Sequence, residues 1–144
     1  MTRSDADDQA QGPPGEPPLV AIVDDDASVR NSAGRLIRSF GYRAEVFASG
    51  EEFLASPVAA QTGCLLLDVR MPDMDGLEVQ RRVTARGLAI PVIFVSGRAS
   101  DDEERRARSA GAIDFLRKPI ARETLLRVLR KAFSRGEGDH DDDV

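Results

Sequence analysis

Asp24, Asp25 and Asp26 stand in a row; Asp68 ends a run of three leucines; Ser96 follows PVIFV; Lys118 precedes Pro119. These residues of the 144-residue chain have chemistry to offer. Brought together, the carboxylates would repel and raise one another's pKa unless a cation sat among them. Carboxylate oxygens favour a hard ion, and a partly hydrated, octahedral Mg²⁺ suits a site that also takes phosphate. An aspartate between such a metal and a lysine is a nucleophile of the kind that forms aspartyl-phosphates, and Asp68 is the candidate. The metal and Lys118 would neutralise the phosphoryl oxygens, and Ser96 could donate a hydrogen bond to the bound group. Singly, each residue has a plainer reading. An Asp after a strand is usually a turn residue or helix N-cap, which is how Asp26 reads, and a lone Lys118 would be a solvated surface charge. Only joint placement makes a site, so the elements that carry these residues decide the matter.

Those elements alternate. LVAIV (19–23), YRAEVF (42–47), CLLLD (64–68), PVIFVS (91–96) and AIDFLRK (112–118) read as five strands. Between the first two, Val29, Ala33, Leu36, Ile37 and Phe40 fall at helical spacing, and Gly41 stops that helix. Ser49-Gly-Glu-Glu52 has capping-box spacing ahead of a short helix with Phe53 and Leu54. Asp75-x-x-Glu78 opens a helix to about Arg86, and Ser100-x-x-Glu103 opens another. Residues 121–135 close the pattern, with Leu125, Val128, Leu129 and Ala132 on one face. Five strands alternating with five helices require crossover connections. The expected fold is therefore α/β, a parallel sheet covered on both faces with right-handed crossovers. The near-continuous apolar strands agree with burial on both sides. Ligands of such sheets sit beyond the carboxyl ends of the strands. Asp24–Asp26, Asp68, Ser96 and Lys118 all stand at those ends.

Composition bounds the rest. The charge of −5 divides into −3 over residues 1–18, −5 over 136–144 and +3 over 19–135. Both ends lack apolar content and are expected to be disordered acidic tails around one domain spanning 19–135. No apolar run is long enough to cross a membrane, and the N-terminus has no apolar leader segment. A single cysteine, Cys64, excludes an internal disulfide framework and a multi-cysteine metal site, so a reduced, cytoplasmic setting is expected. No basic helix with groove-reading residues is evident, and direct nucleic-acid contact is not expected.

Four segments, VDDD (23–26), LLLDVRMPDMDG (65–76), FVSG (94–97) and GAIDFLRKP (111–119), occur in the order of the receiver domain of two-component response regulators, which the chain resembles over about 19–133. DVRMPDMDG and GAIDFLRKP are most similar to the FixJ-type branch. The resemblance implies a flavodoxin-like, doubly wound sheet of order 2-1-3-4-5. It implies that Asp68 accepts phosphate from a phosphohistidine on a sensor histidine kinase. Asp24 and Asp25 then match the acidic pair that binds Mg²⁺, Asp25 more directly, with the backbone carbonyl of Arg70 also on the metal. Lys118 matches the lysine that contacts the phosphoryl group, and Ser96 with Phe115 the switch pair. A cis peptide is implied before Pro119. Phosphorylation would shift the face formed by the fourth helix, fifth strand and fifth helix, where a partner or a second copy docks.

Departures from the family pattern carry expectations too. Gly97 stands where many receivers have alanine, and Arg70 and Arg98 occupy variable positions flanking the site, where they could tune phosphate lifetime. The fourth helix, SDDEERRARSAGA, offers only Ala107 and Ala110 as an apolar face and should be loosely docked. Arg105, Arg106, Arg108, Arg117 and Arg122 suggest a basic face for an acidic partner. After Phe133 no output domain is expected, and no enzymatic turnover beyond the phosphodonor. Two rivals stand beside this reading. One is a phosphatase of the haloacid-dehalogenase type, which wants a second Asp where Arg70 stands. The other is a binding module on the same fold that ignores phosphorylation.

Overall fold

A computed structural model describes the backbone of residues 16–142 and the side chains of residues 16–134. The elements are β1 (Leu19–Val23), α1 (Ala27–Ser39), β2 (Arg43–Phe47), α2 (Gly50–Ala55), a 3₁₀ turn (Pro57–Gln61), β3 (Cys64–Asp68), α3 (Gly76–Ala85), β4 (Val92–Ser96), α4 (Asp101–Ser109), β5 (Asp114–Arg117) and α5 (Arg122–Asp142). All strand pairs are parallel and the order is β2-β1-β3-β4-β5.

Strands β1, β3 and β4 are buried along their whole length because helices cover both faces. Leu65 and Leu67 point to one face, with Phe94, Phe53 of α2, Val79 and Val83 of α3 and Ala107 of α4. Leu66 points to the other, with Ile22, Ile93, Ile37 of α1 and Leu125, Val128 and Leu129 of α5. Each buried Leu, Ile, Val or Phe among them contributes about 1.5–3 kcal/mol on burial, so the strand that ends in Asp68 is firmly seated between the two helical layers.

The helices start where their caps are. Asp26 accepts from the backbone N–H groups of Ser28 and Val29, Asp75 from that of Glu78, and Ser100 from that of Glu103. Those bonds, that to Val29 first, hold the Asp26 carboxyl below its ordinary pKa. At Ser49 only half the expected capping box forms: Ser49 caps Glu52, but the Glu52 carboxylate accepts from Ala48. The 3₁₀ turn was not expected; Ser56 caps it and Pro57 supplies a first-turn residue that needs no N–H partner.

Two elements differ from expectation by more than one residue. The β5 ladder covers Asp114–Arg117 rather than 112–118, although Ile113 and Lys118 still donate backbone bonds to Val92 and Ser96. The last helix runs to Asp142 rather than stopping at 135, since a docked helix propagates by one hydrogen bond per added residue. Residues 1–15 and 143–144 of the expected tails lie outside the described residues. Glu16, Pro17 and Pro18 lie along β2, where Arg43 pairs with Glu16 and bonds the Pro17 carbonyl. Among the described residues no helix is long and apolar enough to cross a membrane.

Candidate functional site

The parallel register puts the carboxyl ends of β1, β3 and β4 on one rim: Val23 pairs with Leu67, Asp68 with Val95, and Ser96 with Arg117. Asp24, the first residue past β1, is 3% exposed. Its backbone N–H donates to the Phe47 carbonyl, its Oδ1 accepts from the Asp26 N–H at 2.9 Å, and its carbonyl accepts from Arg30 at 3.1 Å. Asp25 is exposed beside it. Asp68 is 6% exposed, and its Oδ1 accepts from the Arg70 N–H at 3.3 Å. Gly76, the first residue of α3, presses on the Asp68 backbone: a Cβ there would lie 2.4 Å from the Asp68 carbonyl oxygen. Only glycine permits that approach, so Gly76 fixes how far Asp68 stands out of the sheet.

Lys118 closes the site. Its backbone N–H donates to the Ser96 carbonyl at 2.9 Å, and the following peptide, Lys118–Pro119, is cis. Its ammonium lies 2.8 Å from Asp24 Oδ2 and 3.4 Å from Asp68 Oδ2, bridging the two acids. Burial and the neighbouring Asp24 charge push the Asp68 carboxyl up to about 6, against the opposing pull of Lys118. Burial would lower the Lys118 pKa, but the hydrogen bond to Asp24 and the charge of Asp68 outweigh it and the net shift is upward.

The donor set fits a hard divalent cation. One carboxylate oxygen each from Asp24, Asp25 and Asp68 lies within 4.8 Å of the others. All are oxygen ligands of the kind a hard cation takes, and the Lys118 ammonium reaches only Asp24 and Asp68 of the three.

The remaining predicted residues are placed as follows. Ser96 is fully enclosed and its Oγ accepts from the Arg98 N–H at 3.1 Å. Phe115 is 5% exposed, packs near Phe94 with ring centroids 6.4 Å apart, and is covered by the Arg117 guanidinium at 5.5 Å. The ring therefore already lies inside, while the Ser96 hydroxyl is engaged with the backbone beyond it. Arg98 is exposed, and the Arg70 side chain extends away to Glu103 at 2.9 Å. Two residues that support the site escaped the sequence reading: Gly76 carried a signal, a glycine opening a helix eight residues after the key acid, and Arg30 carried none.

A family model described as the response regulator receiver domain matches residues 20–130. The response regulator protein TmoT of Ectopseudomonas mendocina is 45% identical over 114 residues, covering 79% of this chain and 52% of that protein. Among solved structures, FixJ-N is 33% identical with a TM-score of 0.74, covering 81% of this chain and 93% of that one. A response regulator receiver protein from Burkholderia phymatum is 40% identical with a TM-score of 0.72, covering 81% and 95%. The chain spans about half the length of the curated relatives it matches, which lends no support to the expectation that an output domain is lacking. With the family match running through every strand and the rim acids at the ends of those strands, the chain belongs to the response regulator receiver domain family.

Proposed function

We propose that the rim is a phosphoacceptor site of a two-component system, with Asp68 taking a phosphoryl group from a phosphohistidine on a sensor histidine kinase. The observation that carries this reading is the position of Asp68, buried at the end of a central strand, 3.4 Å from the Lys118 ammonium and clustered with Asp24 and Asp25. With its carboxyl raised only to about 6, Asp68 is mostly ionised at neutral pH and available as nucleophile. One Oδ bonds phosphorus as the P–N bond to the donor imidazole breaks, the electron pair leaving with the imidazole. Lys118 then pairs with a phosphoryl oxygen in place of one of the carboxylates it now bridges. Asp24, Asp25, Asp68 and the Arg70 carbonyl would hold Mg²⁺, which supplies further neutralisation of the phosphoryl oxygens when bound.

The modification adds about −1.5 to −2 charges at the rim. Ser96, released from the Arg98 N–H, turns its hydroxyl to that charge with Phe115 behind it, and the α4–β5–α5 face changes. That face acts on a downstream partner, attached or separate, or on a second phosphorylated copy. Arg98 is proposed to tune phosphate lifetime from the mouth of the site. The setting is cytoplasmic, residues 19–135 touch neither nucleic acid nor membrane, and no substrate beyond the phosphodonor is turned over. A second reading is a binding module on the same fold that ignores phosphorylation and presents its face with Phe115 buried.

Incubation with Mg²⁺ and acetyl phosphate or beryllofluoride, followed by intact mass and NMR, tests both. An adduct on the parent and none on Asp68→Asn is expected, with amide shifts along α4 and β5. An unlabelled parent overturns the phosphoacceptor reading and leaves the phosphate-independent module.

A further inference from the structure

Arg70 contributes its backbone to the site, since its N–H donates to Asp68 Oδ1. Its guanidinium goes elsewhere, donating to Glu103 Oε1 at 2.9 Å on the first turn of α4. The same oxygen accepts the Ser100 N–H at 3.0 Å, while Ser100 Oγ accepts the Glu103 N–H at 3.1 Å. One carboxylate thus closes the α4 capping box and ties down a cation rooted two residues from Asp68. The Ser100 N–H and the Arg70 guanidinium hold the Glu103 carboxyl below its ordinary pKa, so it is charged at neutral pH. The pair is exposed enough to exchange partners, the Arg70 side chain being 54% accessible.

We propose that Glu103 is a positioning residue for the phosphoryl site: it holds the Arg70 guanidinium on α4, off the open side of Asp68, and thereby shortens the life of the phosphoryl group. The inference rests on the reading of Asp68 as phosphoacceptor. In hydrolysis a water oxygen bonds phosphorus as the P–O bond to Asp68 breaks. The carboxylate leaves with the electron pair, and the water gives up a proton to solvent as inorganic phosphate departs. A guanidinium lying across the phosphoryl oxygens covers that approach. Glu103 and the phosphoryl group compete for the same cation, and removing the charge of Glu103 sends Arg70 to the phosphate.

Glu103→Gln is the discriminating variant. Glutamine still serves at this position of a capping box, so the helix start is kept and only the charge that holds Arg70 is lost. Phosphoryl loss, followed by intact mass after labelling with Mg²⁺ and acetyl phosphate, is compared in parent, Glu103→Gln, Arg70→Ala and the double variant. Glu103→Gln is expected to slow the loss roughly threefold, the worth of an exposed ion pair, and the slowing is expected to vanish in the Arg70→Ala background. A rate equal to or faster than the parent's, or a slowing that persists without Arg70, overturns the proposal. Calorimetric Mg²⁺ titration of the same four proteins without phosphodonor gives an independent readout. A freed cation beside the acids should weaken Mg²⁺ binding roughly twofold, again only when Arg70 is present. Coupling in the titration without any label on the parent refutes the acceptor reading and supports the hold of Glu103 on Arg70. Label without coupling in either measurement refutes that hold.

Discussion

Helices α3 and α4 cover the same face of the sheet and are attached to it by different forces. Helix α3 buries Val79 and Val83, seats Gly76 on the Asp68 backbone and tucks in the Gln80 amide, which donates to the Ala110 carbonyl. Helix α4 buries Ala107 alone; Ala110, the second apolar candidate, is the exposed C-cap. Apart from the Gln80 bond to its C-cap, its attachments are ionic: Glu103 to Arg70, Glu104 to Arg117 at 2.7 Å, Arg108 to Asp114 at 3.3 Å and, more exposed, Asp101 to Arg117 at 3.9 Å. Four of the five arginines of the expected basic face are engaged within the chain, Arg105 with Asp102, Arg108 and Arg117 in these pairs, and Arg122 over the Phe40 ring. Buried valines contribute about 1.5–3 kcal/mol each, and exposed ion pairs about 0–1. The molecule is rigid on the side that positions the nucleophile and weakly held on the side proposed to carry the signal out.

Gly76→Ala strikes the rigid side hardest. The new Cβ meets backbone oxygen rather than a movable side chain, so either α3 or the end of β3 must shift. Urea unfolding should show a loss of about 2–3 kcal/mol, in the range of an overpacked core. A loss below about 1 kcal/mol would mean that α3 can back away from the sheet, and the contrast with α4 would dissolve.

Asp68→Asn tests what seating the acid there costs. A carboxyl raised to about 6 in the folded protein, against 3.8 ordinarily, binds its proton more tightly folded than unfolded. Below pH about 4 the group is protonated in both states and contributes nothing; as pH rises to about 6 the unfolded chain ionises first and stability falls. Without Mg²⁺, Asp68→Asn should therefore be more stable than the parent by about 1–2 kcal/mol at neutral pH, after discounting for the open rim. The difference should close below pH about 4. Equal stabilities at pH 7, measured by urea melts in chelator, would show that Lys118 already compensates the cluster.

The sheet and the rim were legible because both depend on local signals. Apolar runs along the strands, caps at Asp26, Asp75 and Ser100, and a polar residue at the carboxyl ends of β1, β3, β4 and β5 need no knowledge of distant partners. What escaped depends on where long side chains lie after folding. Arg70, expected to flank the site, turns its guanidinium to Glu103, 33 residues away. Arg117, expected in a basic face for an acidic partner, covers Phe115 and binds the Ala99 carbonyl and Glu104. Arginines around a short helix with almost no apolar face can be answered from several directions, and spacing does not choose among them. The scarcity of apolar residues was legible, and Ala107 alone is buried on α4, because burial is counted by type and not by direction.

That attachment leads to the smallest effect and the sharpest contrast. At about 1 M salt the Debye length falls to about 3 Å, which screens exposed ion pairs and leaves apolar contacts intact. The three shorter pairs, each worth a few tenths of a kcal/mol, amount to about 1 kcal/mol, or roughly fivefold in the opening equilibrium of α4. Amide exchange over residues 101–109 should accelerate by about that factor between low and high salt, while 76–85 should change little or slow slightly as burial is strengthened. Glu104→Gln, which removes the carboxylate shared by Arg108 and Arg117, should reproduce part of the acceleration at low salt and make it less responsive to added salt. Equal protection of the two helices at every salt concentration would show that Ala107 and the capping box suffice to dock α4. The arginines around it would then be free to serve a partner, and the division between an apolar and an ionic side of this face would fail.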